Sequence, residues 1–396
     1  MAKVSFQRDR LTKITYAQIA TMSWFIFGVG PALSLLREDL GVTRTVIAFH
    51  NVSSSVGSIL AGLTSTYLIN KFGRGNVIRS GAIGMIIGLL LFVNGPSINF
   101  TILSMFICGY SGILLIQCNS AFLNNYHGKA APAAISEVNA LGALVGFIAP
   151  IILGLGIAAG FGWRIGFGWI VLVFLAIELL RGRDTSAFGS AKKFESSVDH
   201  DRPGPLPKLY WAAWLAISCT TAIETSILIW ASELLRVQSG LSIAFATGAV
   251  GTVVLGMGIG RFLGSRLMET YDVEKLYRLS LLLTLLSFIV FWQGQNQYVQ
   301  LPALGLMGLF MSVHFPLGIT RMMRASQGRT DRAAAMFSVG SGSAAGFIPF
   351  LVGATADLSS MALAFAIPGI ALALALGLAV KNPVPAGSTA ESEIGL

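Results

Sequence analysis

Residues 181–209 read RGRDTSAFGSAKKFESSVDHDRPGPLPKL. This polar stretch, carrying Gly, Pro and charges of both signs, divides an otherwise apolar chain of 396 residues. On each side lie six apolar segments, and about 20 such residues are enough for a helix to cross a hydrocarbon core. Upstream they fall at 14–36, 45–69, 77–95, 100–123, 135–159 and 164–180; downstream at 210–234, 243–266, 277–294, 299–320, 334–356 and 360–380. The runs are continuous rather than alternating, which predicts helices and not a β-barrel. The first run is longer than a signal-peptide core, is interrupted by Ser23 and Trp24, and lacks a small-residue cleavage site, so it is expected to remain as a span. The prediction is an all-α integral membrane protein of 12 transmembrane helices, arranged as two pseudo-symmetric six-helix bundles at 1–180 and 210–382. The linker 181–209 joins them, and a polar, disordered tail follows at 383–396.

Composition agrees. Apolar residues make up 54% and charged residues 11%, against about 25% charged in soluble domains. The net charge of +9 comes from 27 Lys and Arg against 18 Asp and Glu. Basic residues collect on the cytoplasmic side of membrane proteins. With both termini in the cytoplasm of a cell-membrane protein, 22 of the 27 fall on that side; Arg37, Arg44, Arg164 and Arg236 fall opposite, and Arg261 lies within a span. The charge is therefore an orientation signal, and no nucleic-acid partner follows from it. Cys108, Cys118 and Cys219 all lie in apolar runs without metal-ligand spacing, and read as packing residues. No metal, cofactor or catalytic constellation is expected, so the chain is not read as an enzyme.

The two halves carry traces of duplication. Gly142, Gly146 and Pro150 in the fifth span match Gly342, Gly346 and Pro349 in the eleventh, the glycines at a shift of 200; Gly57 and Arg79 match Gly256 and Arg278 at a shift of 199. Shared composition at shared depth is the alternative explanation. Between the second and third spans the chain reads Leu68-Ile69-Asn70-Lys71-Phe72-Gly73-Arg74-Gly75. With the span count and the central linker, this resembles the major facilitator superfamily across nearly the whole chain. That family has a Gly, an Asp-Arg pair and then Gly-Arg-Arg or Gly-Arg-Lys at this place. Gly73 and Arg74 match, and Lys71 keeps the charge. Asn70 stands for the acid and Thr66 for the earlier Gly, so a carboxylate relay is missing here. Gly256, Gly260, Arg261 and Gly264 resemble the weaker counterpart in the eighth span, and Gly162-Trp163-Arg164 the short outer loop before the sixth. The glycine-proline motif of proton antiporters is only loosely matched, because Ala149 precedes Pro150 and Gly154 is single.

The resemblance implies a central cavity lined by the first, fourth, seventh and tenth spans. A charge at bilayer centre costs at least about 2.5–3.5 kcal/mol on insertion scales, so ionisable residues there are functional by default. Glu224, mid-way along the seventh span, is the first candidate for proton coupling, with Thr220 and Thr221 one turn earlier available to hydrogen-bond it; a protonated Glu that only packs is the alternative. His314 in the tenth span is the second. Trp24, Phe27, Tyr110, Gln117, Thr220, Thr221 and Trp230 are the expected substrate-cavity residues. Conformational or charge gating is expected of His50 near the outer mouth, of Asn70, Lys71, Gly73 and Arg74, of Glu137 through a salt bridge, and of Arg261, which can also snorkel. Gly142, Gly146 and Pro150 with Gly342, Gly346 and Pro349 are expected to form packing seams and hinges.

These readings converge on a secondary active transporter that moves a small organic solute by alternating access, coupled to protons and working as a monomer in the lipid bilayer. The expected cavity lacks a basic pair and so favours neutral or cationic solutes over anions. A multidrug/proton antiporter is the alternative within transport. A non-transporting membrane sensor or a channel is the alternative outside it.

Overall fold

A computed structural model describes residues 8–183, 185–189 and 204–385. Residues 386–396 of the tail expected at 383–396 and much of the 181–209 linker therefore lie outside the described residues. Among those described there is no strand, and twelve helices are long and apolar enough to cross a membrane: α1 Arg10–Leu40, α2 Arg44–Phe72, α3 Arg74–Asn94, α4 Ile98–His127, α5 Ala131–Ala158, α6 Gly162–Arg181, α7 Lys208–Ser239, α8 Ile243–Met268, α9 Val273–Gln293, α10 Gln297–Ala325, α11 Arg332–Leu358 and α12 Met361–Lys381. Helices satisfy the backbone within the segment, as a lipid environment requires. Their ends are closed by local chemistry. Asp9, Thr43, Asp272, Asn296 and Ser360 each accept a hydrogen bond from a backbone N–H of the first helical turn. Gly41 (φ 61°) and Gly240 (φ 63°) end α1 and α7 in the left-handed conformation that glycine adopts without strain.

The described parts of the chain form two compact units, Met1–Phe194 with Ile243–Gly251, and Glu195–Ser242 with Thr252–Leu396. The first turns of α8 pack in unit 1, where Gly154 of α5 leaves no room for a Cβ beside the Ala244 carbonyl.

The repeat seen in the sequence recurs in the contacts. In unit 1 α2 crosses α4 where a Cβ on Gly57 would overlap the Phe106 carbonyl and crowd the Tyr110 amide, and a Cβ on Gly109 would overlap Ser54. In unit 2 α8 crosses α10 where a Cβ on Gly256 would overlap the Gly305 carbonyl and crowd the Leu309 amide, and one on Gly308 would overlap Val253. Each residue of the second set stands 199 positions after its counterpart, as do the two caps Gly41 and Gly240. Helices in lipid associate by close van der Waals approach, and glycine permits it. Gly109→Leu and Gly308→Leu are each expected to force these crossings apart, lowering the thermal midpoint of the purified protein by similar amounts through a stability loss on the order of 1–3 kcal/mol or more. A normal melt for either would contradict the crossing.

Inside unit 1, Phe92 lies 5.5 Å from Phe167 and 5.7 Å from Trp163, ring to ring. Inside unit 2, α7 is tied to α11 by polar tips of aromatic residues. Tyr210 donates to the Ala333 carbonyl (2.8 Å), Trp214 to Met336 (2.8 Å) and Trp230 to Pro349 (2.9 Å).

Candidate functional site

Glu224 lies near the middle of α7, half-buried, and makes no hydrogen bond or ion pair among the described residues. The hydroxyls expected to hold it are turned elsewhere. Thr220 donates to the Ile217 carbonyl at 2.8 Å and Thr221 to the same oxygen at 3.1 Å, the back-bonding that Thr adopts inside a helix. Ser341 of α11 in turn donates to Thr221 at 3.2 Å. The group that acts on Glu224 is Arg261 of α8, close enough for its charge to be felt. Arg261 is exposed in the structure. Unit 2 thus places an acid and a base in one electrostatic environment, on two apolar spans. The acid keeps both oxygens free to exchange a proton or accept a ligand hydroxyl.

His314 is 2% exposed. It begins the second segment of α10, after a break at Ser312–Val313, and its Nε2 lies 3.3 Å from the Thr284 hydroxyl of α9. Its ring meets Tyr277 edge to face at 6.2 Å. It therefore faces α9. Trp230 is also enclosed, its N–H held by Pro349, so its donor is already used.

Unit 1 holds a polar network that extends from α1 to α6. Gln18 donates to Glu178 (3.1 Å) and accepts from Asn119 (2.8 Å) and from Arg181 Nη2 (2.5 Å). Arg181 Nε also reaches Glu178 at 3.0 Å, and its guanidinium lies over Phe188 at 4.4 Å. Arg79 of α3 approaches Glu178 at 3.8 Å and donates to the carbonyls of Gly182 and Arg183. Unit 2 repeats the theme with other residues. Arg321 donates to Glu274 (2.5 Å) and Arg278 to Glu274 (3.3 Å), while Arg278 binds the Ala379 carbonyl at the end of α12. The pair Arg79 and Arg278 thus fastens the last span of each unit.

The chain matches the family model described as Major Facilitator Superfamily over residues 16–253 and again over 213–395. The chain belongs to the major facilitator superfamily. A comparison with curated proteins finds no match. Among solved structures of the superfamily fold, the chain is similar to the Escherichia coli xylose transporter XylE in a partially occluded inward-open conformation, at TM-score 0.70 and 14% identity, covering 94% of this chain and 99% of that one. It is also similar to a bacterial homologue of the human lysosomal transporter Spinster (TM-score 0.69, 13% identity, 94% and 95% covered) and to the E. coli fucose:proton symporter FucP (TM-score 0.58, 17% identity, 94% and 97% covered). At these identities the likeness concerns the fold. A multi-pass membrane transporter of this superfamily is what the helices and the family match together establish.

The remaining candidates of this superfamily member distribute as follows. Trp24 and Phe27 are buried in unit 1, Trp24 edge-on to Trp169 at 4.9 Å with its N–H unpartnered. Tyr110 bonds the Thr64 hydroxyl at 3.0 Å, and Gln117 is exposed. Asn70 and Lys71 are exposed, Lys71 over the rings of Tyr67 and Phe72. Gly73, at φ 81°, turns the chain between α2 and α3, and Arg74 is half-buried. Glu137 pairs with Arg8 and accepts from Tyr16 at 3.3 Å, all inside unit 1. That hydrogen bond and charge hold the Arg8 guanidinium above its ordinary pKa. Burial works to raise the neighbouring Asp9 carboxyl, but hydrogen bonds from Thr12 and Tyr126 outweigh it and hold it below the usual range.

His50, expected at an outer mouth, is fully enclosed between α2, α3 and α4, with Nδ1 on the Ile47 carbonyl and Nε2 on Thr101 Oγ1, both at 2.8 Å. Gly142 and Gly146 pack against Ser23 and Phe27 of α1 within unit 1. Pro150 is buried in unit 1; in unit 2 Gly342 is half-buried and Gly346 and Pro349 are buried. Among the described residues no group of three or more His, Cys, Asp or Glu comes together to hold a metal.

Proposed function

We propose that this protein is a proton-coupled secondary transporter of a small organic solute, working by alternating access in the cell membrane with both termini in the cytoplasm. The observation that carries the reading is Glu224: a carboxyl in the middle of an apolar span, free of hydrogen bonds, with Arg261 as its electrostatic neighbour. Such a group is costly to keep charged and is therefore suited to take up and release a proton as its surroundings change. The fold it shares with a fucose:proton symporter and a xylose transporter supports the same reading. Arg79 and Arg278, fastening α6 and α12, suit a mechanism in which six-helix units move as bodies.

The test is made in proteoliposomes of the purified protein. Thermal shift against a solute panel identifies the ligand, since a ligand at 100 times its Kd stabilises by about 2.7 kcal/mol. An imposed proton gradient is then expected to drive that solute uphill, by roughly fifty-fold per coupled charge at 100 mV. Accumulation against the gradient's direction would identify an antiporter. Accumulation indifferent to the gradient would exclude proton coupling.

A further inference from the structure

Each unit joins its first helix to its fifth, and the two units do so by different chemistry. In unit 2, side chains of α7 clasp the backbone of α11. Tyr210 donates to the Ala333 carbonyl at 2.8 Å, Trp214 to the Met336 carbonyl at 2.8 Å and Trp230 to the Pro349 carbonyl at 2.9 Å. Packing holds these donors in place. Tyr210 and Trp230 are 0% and 1% exposed. The Trp214 ring lies so close to Gly340 that a Cβ there would fall 2.3 Å from it.

The 199-residue repeat supplies the comparison in unit 1. The counterparts of Ala333, Met336 and Pro349 are Ala134, Glu137 and Pro150 on α5. The counterparts of the three donors are Leu11, Thr15 and Pro31 on α1. Leu and Pro side chains carry no hydrogen-bond donor. Thr15 directs its hydroxyl to the Leu11 carbonyl of its own helix at 2.9 Å. None of the three backbone clasps is therefore reproduced at its counterpart in unit 1.

What meets α5 is a side chain near the surface. Glu137 accepts from Tyr16 at 3.3 Å and pairs with Arg8, and the side chains of that pair are 34% and 57% exposed. Water competes for an exposed ion pair, which holds little. Further along, Gly142 and Gly146 meet Ser23 and Phe27 by close van der Waals approach. Such contact has no preferred direction, whereas a hydrogen bond weakens steeply when its angle changes.

We propose that α5 is the releasable helix of this carrier: its first half parts from α1 as the protein changes conformation, while α11 stays clasped to α7. The proposal rests on the alternating-access reading and adds to it a motion inside one unit that the other lacks. Tyr210, Trp214 and Trp230 are then positioning residues that make α11 one body with α7.

The test is hydrogen exchange on the full chain in lipid nanodiscs, read by mass spectrometry without solute or proton gradient. Amides of 134–146 are expected to exchange on the order of tenfold faster than those of 333–345. Tyr210→Phe removes the hydroxyl and keeps the ring, and Trp230→Phe removes the indole N–H. Each is expected to speed exchange in α11 about fivefold, the worth of one net hydrogen bond, and to leave α5 unchanged. Ser23→Cys with Gly142→Cys supplies the converse. A Cβ on Gly142 lies 3.7 Å from the Ser23 Cβ, a separation that a disulfide spans. Cys108, Cys118 and Cys219 are buried and do not compete for it. Closing the bond is expected to slow exchange in 134–146 to the α11 rate, and reduction to restore it. Equal rates in the two helices of the unmodified protein would overturn the proposal, as would faster exchange in α11. So would α11 exchange unchanged in both Tyr210→Phe and Trp230→Phe, or α5 exchange unchanged by the closed disulfide. Failure of the transport reading shows separately, as absence of solute counterflow in proteoliposomes, which the exchange measurement does not use.

Discussion

Glu224→Gln is expected to abolish proton-driven accumulation while leaving solute counterflow. The substitution keeps the size and hydrogen-bonding shape of the side chain but removes the ionisable group. With one coupled charge, accumulation at 100 mV falls from about fifty-fold to unity. Counterflow exchanges labelled for unlabelled solute without net proton movement, so a carrier that still binds and reorients continues to perform it. The split between the two assays distinguishes coupling from binding. Arg261 is the charged group whose field reaches Glu224, so the variant also changes the surroundings of that cation. Arg261→Gln in the Glu224→Gln background is therefore expected to recover protein yield without recovering coupling. Retained uphill transport in Glu224→Gln would remove Glu224 from the mechanism.

Arg181→Met is expected to be the most destabilising single change outside the helix crossings. The Arg181 side chain is fully enclosed and serves both Gln18 and Glu178, whose own side chain is 13% exposed. Removing Arg181 leaves Glu178 with Gln18 and the longer contact to Arg79 at 3.8 Å, so the loss falls toward the lower end of the about 3–5 kcal/mol that breaking a buried pair costs. That corresponds to a fall in thermal midpoint on the order of 10 °C. The same change at Arg8, whose pair with Glu137 is 57% and 34% exposed, is expected to leave the thermal midpoint nearly unchanged, because solvent screens an exposed pair. Arg181→Met combined with Glu178→Gln removes both charges and is expected to regain much of the loss. A double variant as unstable as the single one would show that shape rather than charge holds α1, α4 and α6 together.

The contrast between Arg8 and Arg181 also marks where the sequence stops being informative. The spans were legible because lipid requires long continuous apolar runs, and Ile243–Met268 or Met361–Lys381 admit no other reading. The repeat was legible at Gly57, Arg79, Gly256 and Arg278 because helix crossings constrain residue size at fixed positions. In the sequence Arg181 is one more basic residue at the head of the linker. Its partner Gln18 stands 163 positions away, and nothing in either neighbourhood announces the bond. His50 and Trp230 show the reverse. A polar tip in an apolar span invites a gating or ligand role, yet His50 is engaged by the Ile47 carbonyl of its own helix and the Thr101 hydroxyl of α4, and Trp230 by the Pro349 carbonyl of α11. Thr220 and Thr221 turn to their own helix for the same reason. Patterning tells which face of a helix is apolar; it does not tell what a polar atom on that face finds opposite.

The constant 199-residue offset between the α2–α4 and α8–α10 crossings gives this protein an internal replicate. A substitution at Gly57 has its duplicate at Gly256, and one at Gly109 has its duplicate at Gly308, in the same chain, the same membrane and the same preparation. Where twin substitutions cost the same stability but only one alters transport, the difference belongs to function alone.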